Sequence, residues 1–155
     1  MRKSLNNPQD FEEIKARILM ITEHSKGKWG KINAAQMLRH CDRILHVGFG
    51  KIVLPKINIF IKVIGVLTKY EMKIFNNGIP PNMPTFKEVI IKENCNFEKS
   101  REELLASIDE FAEKSAKNNL LSEHVLFGKI NNEDWGLMEY KHLNHHLKQF
   151  GLEYF

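Results

Sequence analysis

Three of the chain's seven histidines, His142, His145 and His146, crowd into the segment Tyr140 to Gly151. On a helix turning about 100° per residue, His142 and His146 lie about 40° apart on one face, one turn from each other. That spacing lets two imidazoles share one metal ion. His145 points about 60° the other way and leans toward solvent or an interhelical groove. Leu143, Leu147 and Phe150 set the apolar arc of this helix, which places His142 and His146 on its inner shoulder. His40 takes the same position on an earlier helix, with Met37 and Ile44 as its neighbours along the face. If those two helices are neighbours, His40, His142 and His146 converge on three positions of a tetrahedral or octahedral metal and leave the others open to water or substrate. A blander arrangement fits the same spacing: His40 as a satisfied core histidine and the His142 to His146 run as a hydrogen-bonded cap. An HxxxH pair on a helix is only moderately specific. Leu143 stands where the zincin motif HExxH needs its glutamate, which argues against a protease of that kind.

Other residues stand close to these in the helical register. Glu139 sits about 60° from His142 at an inward position that is otherwise apolar. It is placed to orient a ligand imidazole or to act as a general base on metal-bound water, and a salt bridge to a Lys or Arg fits it equally well. Gln36 lies one turn before His40 and Gln149 three residues after His146; either could hydrogen-bond near a metal, although a helix-surface role is the simpler reading. His124 precedes the last helix and reads as a loop anchor, with an approach to the mouth of the site as the alternative. His46, beside Arg39 and Asp42, reads as solvated. Cys41 is about 100° around the helix from His40, which makes it a core residue rather than a ligand. Trp29 and Trp135 read as packing residues that fix the starts of the two histidine-bearing helices, with substrate stacking as the alternative.

These residues need helices to position them, and the sequence supplies the signals. Asn7-Pro8 opens a first helix with Phe11, Ile14, Ile18 and Ile21 at 3-4 spacing, running to about Ser25. A second opens at Asn33 and ends near Gly50. A third covers Lys56 to Phe75 and is apolar on nearly every side in its first half. Asn76 to Lys99 is a long connection, broken by Pro80-Pro81 and Pro84, in which Val89 to Ile91 could be extended. Ser100 with Glu103 forms a capping box for a helix to about Lys117. Asn132 caps the last, which runs to Phe150 before Gly151. The expected architecture is all-α: a four-helix bundle with a long connection and an extra apolar helix inserted after helix two.

Composition bounds the rest. The 155 residues, 43% apolar and 27% charged, fit a single domain over 1–155 with a core large enough to fold without a structural metal. A metal must therefore be functional. With 23 Lys+Arg against 19 Asp+Glu and the basic residues dispersed, the charge gives nucleic-acid binding little support. Cys41 and Cys95 form no CxxC pair, and MRKSLNNPQD lacks the apolar run of a signal peptide, so the chain reads as cytoplasmic and reduced. The greasy stretch Ile57 to Leu67 is too short to span a bilayer. Its apolar residues cannot all meet one side of a bundle, which predicts a homodimer contact, with the 76–99 connection as the competing cover.

The segment Trp29 to Cys41, with Ala34-Ala35-Gln36-Met37-Leu38-Arg39-His40, and the segment Tyr140 to Gly151, with its HxxHHxxQ string, resemble an uncharacterised branch of the DinB/YfiT-like superfamily. The resemblance covers most of the chain. It implies a four-helix bundle with a long connection, and a divalent metal, zinc or nickel first, held by His40, His142 and His146. It also implies chemistry on a small molecule: some members resemble S-transferases or isomerases that use a low-molecular-weight thiol, and others have no assigned reaction. A metal with open positions suits a thiolate or a hydroxide as nucleophile, because it lowers the pKa of a bound thiol or water. From a different class, a non-catalytic, stress-associated binding protein with a structural metal or none fits the same residues.

Overall fold

The computed structural model describes residues 2–153, which are mostly helical. Helix α1 (Pro8–Met20) starts where Asn7 accepts from the amides of Gln9 and Asp10, with Pro8 in the first turn. It ends at Met20 rather than near Ser25, because Ile21 turns extended and buries its side chain in the core. Helix α2 (Ala34–Gly48) carries a full capping box in which Asn33 and Gln36 satisfy each other's amides. Helix α3 (Ile59–Phe75) begins later than Lys56, at the Asn58 cap, and closes on Asn76 in a left-handed conformation, φ 57°. Helix α4 (Phe97–Ala116) begins one turn before the expected Ser100. Asn96 is its cap, Phe97 turns into the core, and Ser100 is buried inside the helix. Helix α5 (Asn132–Gln149) is capped by Asn131 with Asp134, not by Asn132.

Between α3 and α4 the connection holds one 3-10 turn, Lys87–Val89, so Val89 is helical, while its flanks Phe86 and Ile90 are extended. The loop before α5, expected without structure, forms a small hairpin of β1 (Glu123–His124) and β2 (Gly128–Lys129). Its strands are antiparallel, with His124 opposite Gly128 at φ 66°. That positive φ is the turn position a glycine fills without strain.

Four of the helices close a ring: α2 packs on α4 and α5, and α1 packs on the same two from the other side. Ile14, Ile18, Met37, Leu45, Ile108 and Leu147 meet in its centre, each at most 1% exposed. Arg17, fully buried, ties α1 to the end of α5 by donating to Asn144 Oδ1 at 3.0 Å and the Leu152 carbonyl at 2.6 Å. Helix α3 lies outside this ring against the hairpin, where Gly65 faces Leu126. Among the described residues, no helix is long and apolar enough to cross a membrane.

Candidate metal centre

The packing of α2 on α5 brings His40, His142 and His146 together, with one ring nitrogen of each within 4.8 Å of the others. The rings of His40 lie 5.1 Å from His142 and 4.9 Å from His146, centroid to centroid, and those of His142 and His146 are 4.7 Å apart. His40 Nε2 and His142 Nε2 are 3.1 Å apart. Two ligands about 2.0–2.1 Å from one tetrahedral zinc are separated by roughly 3.3 Å, so this pair already has ligand spacing.

The outer nitrogens decide which tautomers are present. His40 Nδ1–H donates to the Val89 carbonyl at 2.7 Å, because a carbonyl can only accept; its Nε2 therefore carries a bare lone pair. Gln149 Nε2 donates to the Trp29 carbonyl at 2.8 Å, which turns Oε1 toward His146 Nδ1 at 2.8 Å. His146 Nδ1 thus holds the proton and Nε2 is again bare. With His40 Nε2 an acceptor, His142 Nε2–H is the donor between the two rings, and His142 Nδ1 is buried without a partner.

Burial keeps all three rings neutral. It lowers His40, pushes His142 well below the ordinary histidine value with help from His146 and His40, and pushes His146 to about 3 with help from His40. Neutral imidazole is the form that binds metals.

Glu139 lies one helical turn before His142 and is 3% exposed. The salt bridge expected as one of its roles is not formed: among the described residues no Lys or Arg pairs with it, and its Oε2 is buried without a partner. Burial pushes its carboxyl up to about 8. Two unpartnered buried polar atoms, one acidic and one basic, thus stand on successive turns of one helix. Cys41 is a core residue, as its register indicates; its thiol is pushed up by burial and then by Glu139 and Asp42.

Two neighbours, Gln149 and His46, depart from the sequence reading, and Gln36, His124 and His145 follow it. Gln149 is buried and holds His146, whereas its spacing suggested the helix surface. The missing signal is the return of the 27–30 loop across the end of α5, which an isolated helix pattern does not contain. His46 is not freely solvated. Its Nε2 lies 3.2 Å from Ser107 Oγ and 3.4 Å from Asp42 Oδ1, joining a buried carboxylate that also accepts from Ser107 at 2.5 Å. Gln36 caps α2 and reaches the Glu93 carbonyl instead of the centre. His124 anchors its loop: Nδ1 accepts from the amides of Leu126 and Phe127, and the ring packs on Trp135. Trp135 also donates to the Leu121 carbonyl at 2.7 Å. His145 stays out of the cluster. Its Nδ1–H donates to the Ile79 carbonyl at 3.0 Å and its ring lies 5.6 Å from Trp29, on the wall of a cavity of about 310 Å³ shared with Lys141 and Lys148.

The three histidines could hold a metal ion, and their buried, neutral nitrogens fit one. No curated protein and no solved structure matches the chain. The family described as "Protein of unknown function (DUF1569)" matches residues 2–152, and the chain belongs to that family.

Proposed function

We propose that this chain is a DinB-like four-helix-bundle protein, a single domain with one added helix, that binds a divalent metal through His40, His142 and His146 and acts on a small molecule. The observation that carries the reading is the convergence of three ring nitrogens within 4.8 Å, two of them with their outer nitrogens already tied to Val89 and Gln149. Ligand histidines are held in this way, by a hydrogen bond that fixes tautomer and ring orientation. Three imidazoles favour zinc or nickel over calcium or magnesium.

A cation held there would act as a Lewis acid, lowering the pKa of a thiol or water at an open position. The chain's own residues do the positioning. To be held through Nε2, neutral His142 would carry its single ring proton on Nδ1 instead, and Glu139, one turn away with an unpartnered oxygen, is the group suited to accept that bond. The same carboxyl, raised to about 8, can also hold or release a proton near neutral pH. Substrate transfer to a low-molecular-weight thiol or hydrolysis by water both fit, in a reduced cytoplasmic setting consistent with the free Cys41 and Cys95.

The test is metal analysis of protein purified without a histidine tag, then a screen with thiol nucleophiles and electrophilic acceptors. His40→Ala and His142→Ala should each abolish stoichiometric metal, while His145→Ala keeps it. Equal loss in all three variants would sink the ligand assignment. Stoichiometric metal with no exchangeable coordination position would favour the structural reading over the catalytic one.

A further inference from the structure

Helix α3 wears its charges on the inside. Lys62 Nζ pairs with Glu123 at 3.0 Å, Lys69 is buried and donates to the Lys129 carbonyl at 2.5 Å, and Lys73 pairs with Asp134 at 2.5 Å. Gly65 and Met72 complete the face that meets the rest of the chain. The opposite face carries Phe60, Val63, Leu67, Tyr70 and Ile74, which are 50–76% exposed. Their spacing is 3-4-3-4, the a and d positions of two heptads, which draws a single straight seam along the helix.

We propose that this seam is the contact between two copies of the chain, with α3 packing on α3 about a two-fold axis at Leu67. A closed two-fold contact needs only the same patch on each copy, and a heptad seam is self-complementary by construction. The area is sufficient. Ile59, Ile64 and Phe75 flank the seam, themselves 63–71% exposed. At on the order of 100 Å² for each of these large side chains, the face offers roughly 800 Å², the share one partner brings to a standard interface. Monomeric proteins rarely leave an apolar patch of that size in water.

Charge separates a second copy from a lipid surface as the occupant. A helix that lies on an anionic membrane turns Lys and Arg toward the headgroups. Here all three lysines of α3 are engaged beneath the helix, and the one charge on the outer face is Glu71, which accepts from Asn77 at 3.0 Å.

Sedimentation velocity of the full chain at about 50 μM, a concentration that populates contacts of ordinary micromolar affinity, tests this. Wild-type protein should sediment at twice the monomer mass. Leu67→Lys should sediment as a monomer with unchanged helical circular dichroism, and Val53→Lys, at an 83% exposed apolar residue outside α3, should remain dimeric. A second measurement does not depend on destabilising the contact. Leu67 is the midpoint of Ile59–Phe75, so it meets its own counterpart whether the helices run parallel or antiparallel. Leu67→Cys with Cys95→Ser should therefore form a covalent dimer under mild copper-phenanthroline oxidation. A monomeric wild type, a dimeric Leu67→Lys variant, or a monomer that co-sediments with vesicles containing phosphatidylserine would each overturn the proposal, the last in favour of a membrane.

Discussion

Gln149 bridges His146 and Trp29, accepting from one ring nitrogen and donating to a main-chain carbonyl, both at 2.8 Å. One side chain thereby sets the tautomer of a candidate ligand and fastens the 27–30 loop to the end of α5. Gln149→Leu keeps the bulk but removes both bonds. Metal affinity should fall about 10–100-fold, the usual cost of losing a partner that orients a ligand. Isothermal titration with zinc or nickel reads this directly, and unchanged affinity would separate Gln149 from the centre.

Glu139 should show opposite effects on stability and on metal. Its carboxyl is raised by burial to about 8, so in the metal-free protein it folds neutral while the unfolded chain ionises it. The stability it contributes is complete below about 4.5 and is lost as pH rises through 8. Glu139→Leu should therefore raise the metal-free Tm at pH 8 more than at pH 5, and should weaken metal binding at both. Thermal unfolding in chelator, beside metal titration, checks the pair; a variant less stable at pH 8 than wild type would contradict it.

His124 carries the reverse dependence. Burial pushes it from 6.5 down to about 4, so the folded state binds fewer protons than the unfolded chain in that window. Stability is complete above about 6.5 and is lost as pH falls through 4, by at most about 3 kcal/mol from this residue. His124→Gln should flatten the fall in Tm between pH 6.5 and 4 relative to wild type. An unchanged slope would mean that the acid sensitivity lies with the other buried histidines.

A methyl group at residue 65 has nowhere to go. A Cβ there would lie 2.3 Å from the Leu126 carbonyl oxygen and 2.5 Å from its Cδ1, so α3 must lift from the hairpin to admit it. Gly65→Ala should cost about 1–3 kcal/mol despite the better helix propensity of alanine. Chemical denaturation measures the change, and a stabilised variant would show that α3 is not seated as described.

The histidine cluster was legible in the sequence because helical register is a local property. His142 and His146 share a face by arithmetic, and His40 shares one with Met37, so only the adjacency of α2 and α5 had to be supplied by the fold. Register also identified Cys41 as core. It failed for Gln149 and His46, whose partners, Trp29 and Ser107, arrive from other parts of the chain. It failed too at the start of α4, where Ser100 and Glu103 imitate a capping box while Asn96 caps and the burial of Phe97 draws the helix back by a turn. For α3, periodicity exposed an excess of apolar residues, but which side would face outward depended on Glu123 and Asp134 being there to receive its lysines.

The connection between α3 and α4 grips two histidines by main chain alone: the Ile79 carbonyl holds His145 and the Val89 carbonyl holds His40. A carbonyl is the same whatever side chain it accompanies. Apart from Phe86, which packs in the cluster that buries Val89, and Asn82, at φ 59°, residues 80–88 can therefore vary in identity without loosening either ring. Their number cannot vary as freely, since adding or removing a residue between the two anchors would deliver one of the carbonyls out of reach. What the centre demands of this segment is a measured length.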